Sequence, residues 1–332
     1  MPDIRGEDKV RISGFVEYLL AGGVSKPRVI KYVNQLAVLA ELAGKPFEQL
    51  KRRDIEKLVK QINEADYSEH TKRDFKIVLK RFYQWLRGCS EEENEYPEEV
   101  RWIKTGSREK RLMPEMLLTP KEIERLAEAS ENPRDRALIL VHYESGCRIS
   151  ETLSLRIRNV EFDRYGAVLH VNGKTGPRRV RVITAAPALA TWLSMHPFRN
   201  EPDAPLWVGV GTKGKYRPLD YHAARMLFKR LAKKAGLNKR VNTHLFRHTR
   251  ATELANILTE AQMKELFGWA KGSDMPSVYV HLSGRDVDKA LLKAYGIEEG
   301  EESKPILTPK ECPRCKRKAT PKPSSAQTAE WH

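Results

Sequence analysis

The sequence predicts a mainly helical α+β protein in two domains, with one small antiparallel β-sheet confined to the second. Three observations carry that expectation. The first 88 residues hold four amphipathic segments of helical period, residues 89–117 break both composition and period, and a later stretch, 159–183, alternates with the period of a strand. At 332 residues the chain is long enough to bury two cores without disulfides or structural metal.

Within residues 1–88, Ser25 and Pro27 open one helix and Gly44 closes it. Ser68 caps another, on which Phe75, Val78, Leu79, Phe82 and Leu86 recur at helical spacing up to Gly88. The other face of that helix carries Lys72, Arg73, Lys76, Lys80 and Arg81. A charged face of this kind is usually just solvated, but in a basic chain it is also able to track phosphates, which makes Lys72, Arg73 and Lys76 candidate DNA contacts.

Residues 89–117 run from acidic CSEEENEYPEEV to basic IKTGSREKRLMPEM without a sustained period, and read as a linker. A second domain, 118–296, opens at Thr119, where Thr-Pro-Lys-Glu supplies a capping box between Thr119 and Glu122 and a proline at the first helical position. Helices over 120–130 and 133–145 follow, the second stopped by Gly146. AVLHV and RRVRVI then flank Asn172-Gly173-Lys174-Thr175-Gly176 as the strands and turn of a β-hairpin. Helical patterns return from Pro187, over 220–235 and 243–258, with a second capping box at Thr259 and Gln262.

The tail, 297–332, is rich in Glu, Lys, Pro and Ser and is expected to be disordered. Its Cys312-Pro-Arg-Cys315 offers two thiolates where a structural zinc site takes four ligands. Two free thiols are the expectation there, with Cys312 and Cys315 only weak candidates for a metal site.

Sixty Lys and Arg against 44 Asp and Glu leave a formal charge of +16, which favours a polyanionic partner such as nucleic acid, although a basic protein without one looks the same. The four cysteines are too few and too unevenly placed for a disulfide framework. The N-terminus MPDIRGEDKV lacks a signal peptide's apolar run, and no stretch approaches the roughly 18 apolar residues of a membrane span. A cytoplasmic protein with no membrane partner is therefore expected. RNA is disfavoured, because no aromatic-rich sheet motif of the kind that stacks unpaired bases is present.

Three local motifs in the second domain bear on chemistry. Cleaving a phosphodiester without metal takes a nucleophile, cations on the non-bridging oxygens and an acid for the leaving oxygen. In Gly146-Cys147-Arg148-Ile149-Ser150-Glu151, Arg148 sits at a helix start with Glu151 in reach three residues on; alone this is an ordinary ion pair. In His244-Leu245-Phe246-Arg247-His248, on a helix expected to be capped by Thr243, a spacing of three puts an imidazole and a planar guanidinium fork on one face. Leu266-Phe267-Gly268-Trp269 is followed by Met275-Pro276-Ser277-Val278-Tyr279, where a lone tyrosine among apolar residues usually belongs to a core.

Taken in order, Arg148, the hairpin lysine Lys174, His244-x-x-Arg247, Gly268-Trp269 and Tyr279 resemble the signature of the tyrosine recombinases and phage-type integrases. The resemblance runs from about Thr119 to Gly296, and the N-terminal helical segment is similar to the core-binding domain that precedes the catalytic domain in that family. Single-CxxC tails are similar to those of archaeal integrases. The resemblance implies a site-specific recombinase whose two domains form a C-shaped clamp on double-stranded DNA at a recombination site, four protomers to a synaptic complex, with no cofactor.

It further implies that Tyr279 attacks the phosphate to give a 3′-phosphotyrosyl link and that Arg148 and Arg247 stabilise the transition-state charge. Lys174 would protonate the departing 5′-oxygen, with Arg178, Arg179 and Arg181 on the next strand as competitors for DNA. His244 would assist proton transfer at the tyrosine or bond a phosphate oxygen, and Glu151 would orient the site. Trp269 stands where the family most often has histidine; an indole N–H donates a hydrogen bond but transfers no proton. Two other readings stay open: a type IB topoisomerase-like enzyme, which shares the cleavage chemistry, and a non-catalytic DNA-binding protein of the same fold.

Overall fold

Helix-forming stretches with an apolar stripe can hide it only against one another, and in the first part of the chain four of them do so: α1 (Gly6–Ala21), α2 (Lys26–Ala43), α3 (Arg52–Glu64) and α4 (Glu69–Leu86). This computed structural model describes residues 4–106, 114–212, 214–282 and 295. The chain divides into two units, Met1–Arg111 and Leu112–His332.

In the first unit, Phe15, Leu36, Ile55, Val78 and Phe82 are fully buried. Ser68 Oγ accepts the Thr71 N–H at the start of α4, and Gly44, at φ 71°, ends α2 in the left-handed conformation that glycine adopts without a Cβ penalty. The stretch read as linker is partly built into this unit. It forms α5 (Glu98–Arg101), and Val100 and Ile103 are buried in the same core. Two apolar anchors three residues apart suffice to dock a segment that is otherwise acidic.

The second unit begins with α6 (Pro120–Glu128), whose capping box closes as expected: Glu122 N–H donates to Thr119 Oγ1 at 3.3 Å and Thr119 N–H to Glu122 Oε2 at 2.7 Å. Then come α7 (Pro133–Ser145) and α8 (Ile149–Leu153), followed by β1 (Val160–Asp163), β2 (Gly166–Gly173) and β3 (Gly176–Val182). The strands form an antiparallel sheet in the order β1-β2-β3, so the expected hairpin gains a third strand. Gly173 pairs with Gly176, leaving Lys174 and Thr175 as a two-residue turn.

The remaining helices are α9 (Ala186–Ser194), α10 (Tyr221–Lys234), α11 (Thr243–Leu254), α12 (Glu260–Phe267) and α13 (Met275–Leu282). The N-cap of α11 is Asn242, not Thr243: the Asn242 side chain accepts from Leu245 N–H at 3.0 Å, while Thr243 is the first helical residue and is buried. The helix also stops four residues before the expected end at 258.

Two buried polar residues tie these elements together. The Glu144 carboxylate, on α7, accepts from the backbone N–H groups of Ile183, Thr184 and Ala185 at 2.8, 3.1 and 2.7 Å, clamping the passage from β3 to α9. His142 bridges Thr152 Oγ1 and the Thr243 carbonyl, 3.0 Å each, so that α7 fixes α8 against the start of α11. Burial pushes the His142 imidazole down to about 4.

The expected helical pattern running to Gly296, the tail and Cys312 and Cys315 lie outside the described residues, apart from residue 295. Among the described residues, no helix is long and apolar enough to cross a membrane, and no group of three or more His, Cys, Asp or Glu is placed to hold a metal ion.

Candidate active site

Three arginines from three different elements converge on the end of α12. A helix leaves its last carbonyls without intrahelical donors, and these carry the partial negative charge of the helix dipole. Here the carbonyls of Leu266, Phe267 and Gly268 each accept from a guanidinium. Arg178 Nε donates to Leu266 O at 2.9 Å, Arg247 Nη2 to Phe267 O at 2.7 Å, and both Nη1 and Nη2 of Arg148 lie 3.3 Å from Gly268 O. Gly268 ends α12 at φ 58°, and a Cβ there would lie 2.8 Å from Arg178 Nη1 and 3.1 Å from Thr175 Oγ1. The hairpin tip carrying Lys174 is thereby drawn up to this helix end.

Arg148 is the N-cap residue of α8, and Glu151 is its third residue. The Glu151 carboxylate takes the Arg148 backbone N–H at 2.8 Å and Arg148 Nη1 at 3.0 Å. It also takes Arg178 Nη2 at 2.7 Å. Burial alone would raise this carboxyl; the hydrogen bonds from Arg178 and the Arg148 backbone instead hold it below the usual range. Gly173 is needed for the same group, since a side chain there would collide with Glu151 Oε1.

Arg178 was expected to face DNA and does not. Its side chain is 6 % exposed and is spent on Glu151, Leu266 and Cys147. The reason is strand parity: Arg178 shares the inward face of β3 with buried Val180 and Val182, whereas Arg179 and Arg181 point outward. Arg179 is exposed, and Arg181 is bound to Asp163 at 2.7 and 2.8 Å. Lys174 stands exposed at the tip.

Arg247 is buried, at 5 % exposure, and its other fork donates to Gly146 O at 2.9 Å. Burial and the neighbouring Arg148 bring its guanidinium down to about 10, which still leaves it charged at neutral pH. It lies over the rings of Phe267 and Trp269, 5.1 and 5.5 Å from their centroids. Trp269 continues the stack: its ring lies 4.9 Å from Phe267 and 5.4 Å from Tyr279, the latter within 8° of parallel.

Tyr279, on α13, is 2 % exposed. Its hydroxyl is 2.7 Å from Nδ1 of His248, and burial, opposed by the Arg247 charge, raises its pKa above the ordinary tyrosine value. His244 is exposed one turn earlier on α11, its ring centroid 6.1 Å from that of His248. Burial, Arg247 and Arg148 all lower the His244 pKa. The arrangement therefore presents a tyrosine hydroxyl, two held guanidiniums and two neutral imidazoles, as phosphoryl transfer without metal would use.

In the first unit, Lys72, Arg73 and Lys76 are half-buried on α4, and Lys72 pairs with Glu69 at 3.3 Å. The same helix's Lys80 lies 4.0 Å from the Tyr96 ring centroid, and Arg81 lies 3.5 Å from Glu91, so the segment after α4 folds back along its basic face.

The sequence reading missed His248, the inward role of Arg178 and the use of backbone carbonyls at this site. His248 escaped notice although it lies four residues from His244, which already puts those two imidazoles on one face of the helix. Arg178 carried a signal in its parity with Val180 and Val182. The use of three successive carbonyls had no sequence signal, because backbone acceptors look alike at every position.

The chain matches the phage integrase family over residues 116–285 and the phage integrase N-terminal SAM-like domain over residues 12–88. It is similar to the tyrosine recombinase XerA of Pyrococcus horikoshii, 26% identical over 285 residues, which span 86% of this chain and 93% of that protein. Its fold is similar to that of a lambda integrase dimer bound to a COC′ core site, with TM-score 0.65 and 17% identity over 85% of this chain and 79% of that one. It is also similar to the XerH site-specific recombinase in a post-cleavage complex with palindromic difH DNA, with TM-score 0.62 and 19% identity over 83% and 81% of the two chains.

Proposed function

The chain belongs to the phage integrase family and is a tyrosine recombinase, an enzyme that cuts and rejoins DNA, and from that premise we propose that Tyr279 is its nucleophile. In this reading the Tyr279 oxygen attacks a DNA phosphate, forming a 3′-phosphotyrosyl link as the bond to the 5′-oxygen breaks. Arg148 and Arg247 hold the charge that develops on the non-bridging oxygens. Exposed His244 donates to one of those oxygens, and Lys174, from the hairpin tip, protonates the departing 5′-oxygen. Glu151 and Arg178 orient Arg148 and the hairpin from behind. The phosphotyrosine conserves the energy of the cut bond, so rejoining consumes no ATP.

The observation that carries this reading is the single stack of Phe267, Trp269 and Tyr279 lying under Arg247, with Arg148 on the next carbonyl along. The two arginines, brought from distant elements to cap one helix end, also place two positive charges beside a tyrosine hydroxyl, which supports a role in charge stabilisation. Tyr279 has to become more accessible than its present 2 % for a phosphate to reach it, so DNA engagement is expected to shift α13. We assign the chain a specific duplex site as its substrate and a tetramer as its working assembly, in line with the lambda integrase tetramer on a Holliday junction.

The test is covalent. Tyr279→Phe removes one oxygen and keeps the ring, so DNA affinity should be preserved while protein–DNA adducts disappear from denaturing gels. Adducts that persist in this variant would remove Tyr279 from the mechanism.

A further inference from the structure

A tyrosine that attacks a phosphate must lose its proton in the same step, and burial makes the Tyr279 hydroxyl harder to ionise than a free one. It therefore needs an acceptor in contact with it. His244, the imidazole that the family signature points to, is one turn away and exposed. The group in contact is His248, whose Nδ1 lies 2.7 Å from the hydroxyl, with the two rings 5.9 Å apart and 33° from parallel.

We propose that His248 is a further catalytic residue of this recombinase, positioning the Tyr279 hydroxyl and accepting its proton through Nδ1 as the oxygen attacks. The inference rests on the reading of Tyr279 as nucleophile. In the cleavage step the Tyr279 oxygen–phosphorus bond forms, the bond from phosphorus to the 5′-oxygen breaks, the phenolic proton passes to His248 Nδ1, and the 5′-oxygen takes a proton from Lys174. In rejoining, the 5′-hydroxyl attacks, Lys174 recovers its proton and His248 returns one to the leaving phenolate, so each residue ends as it began.

The setting of His248 suits an acceptor. Its backbone carbonyl takes the Thr252 hydroxyl at 3.0 Å, and its helix is anchored by Asn242 at one end and by Arg247 in the middle. Among the described residues, the charged and titratable groups around it are His244 and Arg247 on α11 and Tyr279 on α13, with no carboxylate against it that would hold it protonated. Burial, His244 and Arg247 all lower its pKa, so the ring is neutral at pH 7 and free to accept. The division of labour is then spatial: His244 faces the phosphate, while His248, one turn on, faces the nucleophile.

The probe is a DNA duplex selected from a random-sequence pool by covalent capture on the parent chain. It is resynthesised with sulfur replacing the bridging 5′-oxygen at the cut position. A sulfur leaving group needs no proton, so with this duplex single-turnover adduct formation reports on the nucleophile alone. His248→Asn keeps an acceptor oxygen near the Nδ1 position but takes up no proton. It should slow adduct formation by about 10²- to 10⁴-fold with DNA affinity and melting temperature unchanged. Lys174→Ala should be slow on the oxygen duplex and rescued by the sulfur one. In the parent chain the rate should fall on acidification through one ionisation below the ordinary histidine value, and this fall should survive in His244→Asn and vanish in His248→Asn.

If His248→Asn reacts at the parental rate, or faster, the histidine only latches the tyrosine in its resting place and the proposal is overturned. Should the variant fail to fold, the parent's profile decides: a rate on the sulfur duplex that stays flat on acidification as far as the fold survives excludes His248 as acceptor. Persistence of adducts in Tyr279→Phe is a separate outcome that strikes the parent reading instead.

Discussion

Glu151 and Arg178 form a buried ion pair, 2.7 Å from oxygen to nitrogen, with side chains only 4 % and 6 % exposed. Because Glu151 also holds Arg148 through backbone and guanidinium, this pair connects the fold's stability to the cation expected to hold the phosphate.

Removing the arginine alone should be severe. Arg178→Ala leaves the Glu151 carboxylate buried with half its partners gone, and loss of one member of such a pair costs about 3–5 kcal/mol. Chemical denaturation should show a loss of that size, with adduct formation reduced as well. A loss below about 1 kcal/mol would mean that water replaces the guanidinium at little cost.

Gly268 is predicted to tolerate no side chain. Alanine at φ 58° costs about 1–2 kcal/mol from backbone strain alone, and its Cβ would also press on Arg178 and Thr175. Gly268→Ala should therefore lower the melting temperature and, by moving the hairpin tip, slow cleavage. The readout is adduct yield at a temperature where the variant is fully folded.

Glu253 should make stability depend on pH in an unusual direction. It accepts from the Tyr143 hydroxyl at 3.0 and 2.9 Å, and burial pushes its carboxyl up to about 7. A carboxyl raised on folding stabilises the protonated protein, and that contribution is lost as pH rises from the unfolded value near 4.5 through about 7. Glu253→Gln, which keeps one acceptor for Tyr143 and cannot ionise, should gain on the parent by up to about 3 kcal/mol across that window. Melting curves of both proteins at several pH values would show the gap widening with pH; a constant gap would contradict the assignment.

DNA affinity should fall steeply with salt. A +16 chain that neutralises six or more phosphates releases their counterions and loses about 10³-fold in affinity between ~50 and ~200 mM salt. Lys76→Ala should reduce the slope by about one if that lysine contacts a phosphate. Arg178→Met should leave the slope unchanged, since its guanidinium is occupied inside the protein.

The sequence by itself determined those features whose physics is local. Thr119 with Glu122, Ser68, Gly44 and Gly146 mark helix ends because capping and left-handed backbone depend on residues within one turn. The hairpin with Lys174 at its tip follows from alternation around two glycines, and the ordered Arg148, His244, Arg247 and Tyr279 identify the family. What only the tertiary structure decided is which partner each of these groups meets. Arg178 turned inward because its strand face is covered by the end of α12, 88 residues on, and not by solvent. Val100 and Ile103 drew an acidic segment into the first core. His248, rather than His244, meets Tyr279 because the way α13 lies across α11 selects one turn of that helix over the other. Spacing along a chain tells which residues share a face, but the neighbour that covers the face comes from distant sequence and is chosen by packing.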